Sequence, residues 1–173
     1  MSQEDLLMID DDEEDNIEEM FLTFEVGEEE YGVGIINVTE IVRLQKIIEV
    51  PDVPHYVRGV INLRGKVIPV IDVRKRFSLP DTEYSNRTTI IVLDVEEVPT
   101  GLIVDRVNEV IEIPEDRIDA PPRKQKGEDG VIQGMGKHGD RVCIILDIDH
   151  LLSDEQLAFD LERIKHSTKE EAA

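Results

Sequence analysis

Short apolar runs alternate with polar positions through most of the chain, and glycine or proline separates them. The first two runs, at 21–26 and 31–36, flank a polar turn and predict a β-hairpin. Further runs of this kind lie at 59–63, 67–71, 88–95, 102–104, 110–113 and 142–146. Because no long helical pattern separates them, the spacing predicts a mainly β protein built as small barrels or a sandwich.

The chain also repeats its own pattern. Residues 21–42 align with residues 90–111 without a gap, so that Gly32 matches Gly101 and Glu40 matches Glu109. Residues 59–62 resemble 130–133, and residues 67–73 resemble 142–148, which leaves four extra residues in the second copy. We assign these to a longer hairpin loop. Chance similarity between alternating strands is the alternative, but the shared glycines favour a duplicated barrel of about five strands per copy.

The duplication predicts a first barrel at about 31–87 and a second at about 88–145, with terminal strands that could swap between them. Beyond the barrels, Leu157, Ala158, Leu161 and Ile164 follow a candidate N-cap at Ser153. Their spacing predicts an amphipathic helix within 153–173. Residues 1–20 contain ten acidic side chains and no basic one, which predicts a disordered acidic tail.

Charge limits the partners that the chain can have. Its 173 residues include 40 acidic and 19 basic side chains, for a net charge of −21. This excess argues against nucleic acid and anionic membrane surfaces as main partners. No signal-peptide pattern and no apolar run of the ~18–20 residues needed for a membrane span is present, so we expect a cytoplasmic protein without membrane insertion.

Candidate catalytic chemistry is sparse. The four histidines have no metal-binding spacing, and the single cysteine, Cys143, lies in a strand pattern that predicts a buried thiol. Asp72 and Asp147 occupy matching positions after apolar strands, where we interpret them as helix N-caps. We therefore predict no metal, no cofactor and no catalytic residue, with a small β-barrel enzyme as the alternative from another class.

The local charge changes sign between residues 58 and 76, where six basic side chains accompany one acid, Asp72. At its centre, Asn62–Gly65 falls between two apolar strands and predicts a hairpin turn. Gly65 is explained by turn chemistry. Arg64 is either a solvated charge or a planar set of donors presented to a partner, and the second copy has no arginine in this place.

These motifs together resemble the CheW family. The resemblance rests on V-x-E-I at 38–41, GVINLRG at 59–65, PVID at 69–72 and the segment 101–110, and it extends over 21–152. It implies two SH3-like five-stranded β-barrels packed on a shared core. It also implies a non-catalytic adaptor that couples chemoreceptors, the methyl-accepting chemotaxis proteins, to the histidine kinase CheA.

The resemblance further implies that the helical tip of a receptor lies in a groove between the barrels. The matching receptor-binding positions are Val38, Glu40, Gly59, Asn62, Leu63, Arg64 and Gly65, and the groove would also be lined by Ile35, Ile36 and Ile41. The first barrel would contact the regulatory domain of CheA, through residues that we do not assign. The chain would be a monomer alone and would join membrane-associated receptor arrays.

Two alternatives stay open at this point. A similar adaptor could serve a different chemosensory output, such as surface motility or development. Separately, the acidic tail could bind a cation or a basic partner and so regulate docking.

Overall fold

The computed structural model describes residues 17–95, 97–121 and 130–152. Eleven strands are formed within these ranges: β1 (Met20–Val26), β2 (Glu29–Gly34), β3 (Val38–Arg43), β4 (Val57–Leu63), β5 (Lys66–Asp72), β6 (Thr89–Val95), β7 (Val98–Val104), β8 (Arg106–Glu112), β9 (Ile118–Asp119), β10 (Ile132–His138) and β11 (Arg141–Leu146). Short helices α1 (Val73–Arg76) and α2 (Ile148–Leu151) follow β5 and β11, and 3-10 turns occupy Ile17–Glu19, Ile35–Asn37 and Glu115–Arg117.

The strands form two sheets, which confirms the predicted mainly β class. The first sheet has the order β3-β6-β7-β5-β4, and the second has the order β8-β1-β2-β11-β10-β9. Neighbouring strands are antiparallel except for the pairs β5–β7 and β2–β11, which are parallel. These two parallel pairs lie at corresponding places in the two sheets.

The predicted duplication is visible strand by strand. β1, β2 and β3 correspond to β6, β7 and β8, whereas β4, β5 and α1 correspond to β10, β11 and α2. Each sheet combines two strands of one copy with strands of the other: three in the first sheet and, with the short β9, four in the second. In the sheets, β6 and β7 lie with β3–β5, and β1 and β2 lie with β8–β11, so the first strands of each copy belong to the sheet of the other copy, an arrangement that the expected swap of terminal strands allows. The cause is the parallel pairing, which in each sheet joins a strand of one copy to a strand of the other.

The strand registers correct the alignment of the second half of the repeat. Gly59 pairs with Val70, Gly134 pairs with Ile145, and each glycine follows a one-residue register shift. Gly59 therefore corresponds to Gly134, and the expected match with Gly130 is wrong. Both hairpins close with two-residue turns, at 64–65 and 139–140. The extra residues of the second copy consequently precede β10 instead of lengthening its hairpin loop.

Apolar side chains project from both faces of the central strands and form three clusters among the described residues. Along β6, Ile91 and Leu93 enter a large cluster shared by the two sheets, while Ile90 and Val92 enter a cluster of the first sheet alone. The second sheet has its own cluster, which contains Phe21, Ile111, Ile113, Cys143 and Ile145. The shared cluster is the common core predicted for the two units, since it takes side chains from β1, β2, β4, β5, β6 and β7.

The glycines that align between the copies have a packing role. Gly32 lies in β2 beside β11, where a Cβ atom would come within 2.8 Å of the Cys143 sulfur. Gly101 lies at the matching place in β7, where a Cβ atom would come within 2.9 Å of Val70 and 2.8 Å of Ile90. Both parallel strand pairs therefore require a residue without a side chain at the point where they approach.

A polar cluster, which we call the inter-sheet clamp, joins the sheets on one side. Arg74 of α1 donates from Nε and Nη2 to Asp105, at 2.9 and 2.7 Å, and the Gly27 amide donates to the same carboxylate at 2.8 Å. The hydrogen bond to Asp105 raises the pKa of Arg74. Asp105 links β7 to β8, and the matching residue between β2 and β3 is Ile36. One crossing of the chain between the sheets is therefore clamped, whereas the matching position at the other crossing carries an exposed isoleucine.

The terminal predictions fall mostly outside the described residues. This is so for residues 1–16 of the predicted tail and for the predicted helix within 153–173. Residues 17–20 do not belong to a tail, because Ile17–Glu19 forms a 3-10 turn and Met20 begins β1. Among the described helices, none has the length and apolar character needed to cross a membrane.

Candidate docking site

The β4–β5 hairpin ends in a turn with unusual backbone geometry. Leu63 pairs with Lys66, so Arg64 and Gly65 form the two-residue turn, with φ angles of 51° and 86°. Positive φ at both positions is typical of a type I′ turn, whose twist suits a β-hairpin. The Asn62 side chain accepts a hydrogen bond from the Gly65 amide at 2.9 Å. Asn62 and Gly65 thus fix the shape of the turn that presents Arg64.

Arg64 connects the hairpin to β3, the edge strand of the first sheet. Its Nη2 donates to Oε2 of Glu40 at 2.5 Å, and the arginine side chain remains 70% exposed against 29% for the glutamate. The pair borders an open depression lined by Leu63, Ile68, Val92, Lys66 and Asp94. Because a guanidinium has five N–H donors, Arg64 can hold Glu40 and still donate to a second carboxylate or to backbone carbonyls.

Two of the predicted receptor-binding residues lie inside the protein. Leu63 is buried in the cluster of the first sheet. Gly59 is also buried, with φ of 146°, and a Cβ atom there would lie 2.0 Å from the carbonyl oxygen of Ile48. The backbone of Ile48 exchanges hydrogen bonds with Val60, so the loop before β4 runs against this glycine. Gly59 can therefore hold the hairpin in place but offers no side-chain surface to a partner, whereas Leu63, although only 8% exposed, still lines the depression beside Arg64.

The predicted groove residues separate into two kinds. Ile36 and Ile41 are 64% and 46% exposed, although both are large apolar side chains. Ile35 and Val38 are half-buried and pack against the shared core. Along β3, exposure alternates, with Ile41 outward and Val38 inward. Among the predicted groove residues, the accessible apolar side chains are therefore Ile36 on the 3-10 turn and Ile41 on the edge strand. We call these two residues, with Arg43, the β3 patch. Arg64 lies on the other side of the strand, because its partner Glu40 points to the opposite face of β3 from Ile41.

The matching end of the second sheet holds an ion pair that we did not predict from the sequence. Arg141 donates to Glu109 at 2.9 Å and lies 3.5 Å from Glu30, which also accepts from Asn108 at 2.8 Å. Glu109 corresponds to Glu40 through the repeated Val-x-Glu motif. The repeat therefore pointed to Glu109 as a member of an ion pair. It could not identify the partner, because Arg141 lies on β11 whereas Arg64 lies on the turn, so the two arginines do not align.

The side chains considered for catalysis have structural roles. Burial raises the pKa of the Cys143 thiol to about 12, which removes its thiolate at neutral pH. The predicted N-caps are confirmed: Asp72 accepts from the Arg74 amide at 2.9 Å, and Asp147 accepts from the His150 amide at 3.2 Å. In 17–95, 97–121 and 130–152, no three His, Cys, Asp or Glu side chains are arranged to hold a metal ion.

These observations define a class: a duplicated two-sheet β scaffold whose exposed chemistry suits binding to other proteins. A family model for the CheW-like domain matches residues 20–156. The chemotaxis protein CheW of Bacillus subtilis is 40% identical over 138 residues, covering 79% of this chain and 88% of that protein. The CheW of Klebsiella aerogenes is 35% identical, covering 80% of this chain and 84% of that protein.

A solved structure agrees with these relatives. The crystal structure of the scaffolding protein TtCheW from Thermoanaerobacter tengcongensis superposes with a TM-score of 0.73 at 36% identity, covering 80% of this chain and 94% of that one. The chain therefore belongs to the CheW family of non-catalytic chemotaxis adaptors. Its fold class, two packed SH3-like units, is that of the family.

Proposed function

We propose that this protein couples chemoreceptors to the histidine kinase CheA by binding a receptor tip and the regulatory domain of the kinase at the same time. The observation that carries the proposal is the edge strand β3, which has two exposed isoleucines, Ile36 just before it and Ile41 within it, and on its other face an exposed arginine held on a rigid turn. Isolated exposed apolar residues are common, but two of them at a sheet edge that also holds a fixed charge are typical of a docking surface.

On the receptor side, the partner is a helical hairpin tip that lays apolar side chains against Ile36 and Ile41. Val38, half-buried beneath them, extends the apolar contact toward the shared core. Helix-in-groove binding draws most of its affinity from a few such anchors. Arg64 and Glu40 then orient the helix, because their pairing holds a charged fork at a fixed place on the other side of the same edge strand.

The conformation of Arg64 supports its assignment to this role. A non-glycine residue with φ of 51° is uncommon, and the left-handed conformation costs about 1 kcal/mol. Glycine would fit the turn without that cost. The exposed ion pair with Glu40 stabilises the fold by only about 0–1 kcal/mol, so it does little more than offset the backbone cost of an arginine here. This balance supports a role for the Arg64 side chain in binding.

On the kinase side, the first sheet meets the CheA regulatory domain, and its contact residues are not assigned. Simultaneous binding recruits the protein from the cytoplasm to membrane-associated receptor arrays. No chemical step is required of the adaptor, because coupling needs only that both partners bind it at once.

The experiment is a titration of a fluorescently labelled receptor-tip hairpin with the protein and with two charge-reversal variants. Arg64→Glu places a second carboxylate beside Glu40, and we expect it to weaken receptor binding by about tenfold or more, which corresponds to about 1.4 kcal/mol. Arg141→Glu is the matched control, because Arg141 holds the equivalent glutamate at the other sheet; its receptor affinity should stay within about twofold.

Circular dichroism and urea unfolding accompany the titration. An exposed turn charge should change the free energy of unfolding by less than about 0.5 kcal/mol, so a loss of binding with an intact fold assigns the effect to the surface. If Arg64→Glu binds the receptor tip as tightly as the unmodified protein, Arg64 is not part of the receptor site.

A further inference from the structure

The β1–β2 hairpin reaches from the inter-sheet clamp to the β3 patch. Its turn contains Gly27, whose amide donates to Oδ2 of Asp105 at 2.8 Å. Its other end, Gly34, runs directly into the 3-10 turn of Ile35–Asn37, which carries Ile36. The two strands pair from end to end without a register shift, and the six residues of β2 span about 20 Å. One regular hairpin therefore has the clamp at one end and an exposed isoleucine of the patch at the other.

The clamp fastens this hairpin to an element of the other sheet. The hairpin belongs to the second sheet, whereas Arg74 lies on α1, which follows β5 of the first sheet. Arg74 also donates from Nη1 to the Pro80 carbonyl at 2.9 Å, and its own carbonyl accepts from the Leu79 amide at 2.8 Å. A Cβ atom on Gly27 would lie 3.5 Å from the Leu79 side chain. The segment after α1 therefore packs against the same hairpin turn that the clamp holds.

An aromatic stack continues this contact along the hairpin. Phe77, directly after α1, stacks on Tyr31 of β2 with ring centroids 5.4 Å apart. Tyr31 in turn stacks on Phe24 of β1 at 6.0 Å, and all three rings lie in or against the shared core. Because packed interiors are hardly compressible and transmit displacement, a shift of α1 relative to the hairpin turn moves β2 as well.

The far end of the hairpin has no equivalent of the clamp. The positions that match Asp105 and Arg74 there are Ile36 and Asp149, which cannot form a salt bridge. Ile36 lies where the chain crosses from the second sheet to the first, whereas Ile41 lies on β3 of the first sheet. The separation of these two exposed isoleucines therefore depends on how the hairpin is set against the first sheet.

We infer that Arg74 and Asp105 are positioning residues for the β3 patch. By fixing the hairpin turn to α1, they keep Ile36 where one receptor helix can contact it together with Ile41. The occupation of the patch by a receptor helix is the part that rests on the proposed function. Neither clamp residue has to touch the partner, so loss of the clamp acts on receptor affinity through the place of Ile36. Mutations in packed elements that connect two sites change affinity by about two- to thirtyfold.

The direct test needs no partner. Residual dipolar couplings are measured on the full-length chain for the amides of β1–β2 and of the first sheet, in the unmodified protein and in Asp105→Asn. One alignment should describe both sets in the unmodified protein, whereas the variant should require a different orientation for the hairpin. The Gly27 amide should also exchange about threefold faster or more, because an amide oxygen is a weaker acceptor than a carboxylate. Dipolar couplings of the variant that still fit one unchanged orientation would overturn the inference.

The second test is the receptor-tip affinity of the same full-length chains. Asp105→Asn should bind about three- to tenfold more weakly than the unmodified protein. Asp81→Asn is the matched control, because it removes the exposed carboxylate partner of Lys75 on the same helix, and its affinity should stay within about twofold.

A further control separates positioning from a general loss of stability. Val70→Ala leaves a cavity in the cluster of the first sheet alone, away from the β1–β2 hairpin, and its receptor affinity should also stay within about twofold. Unchanged affinity in Asp105→Asn, or an equal loss in Val70→Ala, would refute the positioning role.

A milder variant serves if Asp105→Asn does not fold. Arg74→Lys keeps the positive charge but loses the two-point contact with Asp105. It should rotate the hairpin in the dipolar couplings and weaken receptor binding by about two- to fourfold. An unchanged orientation in this folded variant would equally overturn the inference.

The two tests separate the two claims. A changed hairpin orientation with no receptor binding by any chain refutes the proposed function and leaves the positioning of Ile36 in place. Receptor binding that is equally tight in all chains, with unchanged dipolar couplings, refutes the positioning role alone.

Discussion

The β4–β5 and β10–β11 hairpins occupy equivalent places in the two sheets and differ at their tips. Both close with a two-residue turn whose first residue has positive φ, Arg64 at 51° and Gly139 at 61°. The second copy uses the residue that this geometry favours, and the first copy uses an arginine in spite of the cost. The duplicated scaffold is thus conserved in shape, whereas the exposed turn differs in chemistry.

The ion pairs beside these hairpins show the same divergence. Glu40 and Glu109 correspond, yet the first pairs with an arginine on the turn and the second with an arginine on β11. Arg141 lies between two carboxylates and is 47% exposed, while Arg64 has one carboxylate partner in the described residues and is 70% exposed. The Arg141 guanidinium therefore uses most of its donors within the protein, whereas the Arg64 guanidinium has N–H donors left for a partner.

The largest expected effect comes from Gly59 and Gly134, the glycines at the register shift in the first strand of each hairpin. Gly59→Ala puts a Cβ atom 2.0 Å from the Ile48 carbonyl oxygen at a φ of 146°, whereas Gly134→Ala meets Ile118 and Asp119 at 2.6 and 2.8 Å without a positive φ. We expect losses of about 3–5 and about 1–3 kcal/mol in the free energy of unfolding, measured in urea. Equal losses of stability in the two variants would mean that the positive φ of Gly59 adds nothing to the cost of a Cβ atom at that position.

The inter-sheet clamp should have the next largest effect. Asp105→Asn leaves Arg74, a side chain only 19% exposed, without its carboxylate, and we expect a loss of about 2–3 kcal/mol in urea unfolding. Ile36→Asp places a carboxylate at the matching position between β2 and β3. This variant should not gain a comparable stabilisation, because α2 has Asp149 in the position that matches Arg74. The exposed Lys75–Asp81 pair is the control, since Asp81→Asn should cost less than about 0.5 kcal/mol. A loss of that small size for Asp105→Asn would contradict the clamp.

Cys143 provides a comparison that depends on pH, since the matching residue of the first sheet is the buried Ile68. Burial raises the pKa of this thiol to about 12, so the native state keeps the proton while the unfolded chain loses it above its ordinary pKa of about 8.5. Stability from this group is complete below that pH and falls as the pH rises toward 12. Relative to Cys143→Val, the protein should lose roughly 1–2 kcal/mol between pH 8 and 10. Parallel pH curves would show that the thiol ionises equally in both states.

The smallest effects come from exchanging the turn residues themselves. Gly139→Arg introduces a side chain at positive φ and should cost about 1 kcal/mol in urea unfolding. Arg64→Gly should leave the free energy of unfolding within about 0.5 kcal/mol, because relief of the backbone strain offsets the lost exposed ion pair. A large destabilisation by Arg64→Gly would mean that Arg64 is retained for the fold and not for binding.

Local sequence patterns predicted the strands, the duplication and both helix N-caps, because each depends on neighbouring residues. They did not predict how strands are shared between the sheets, since the β5–β7 and β2–β11 pairings depend on contacts distant in sequence. The match of Gly59 to Gly130 was wrong because two Gly-Val-Ile triplets look alike, and only the strand register identifies Gly134. At the site, the sequence could not show that Gly59 and Leu63 are buried while Ile36 and Ile41 are exposed.

The central claim is that one molecule binds both partners at once. Its most direct measurement is sedimentation velocity of a mixture of this protein, a receptor-tip hairpin and the CheA regulatory domain, each carrying a different chromophore. We predict a single boundary that contains all three, and loss of only the receptor signal from that boundary with Arg64→Glu. If the receptor tip and the regulatory domain displace each other from the protein, it cannot couple them and the account is contradicted.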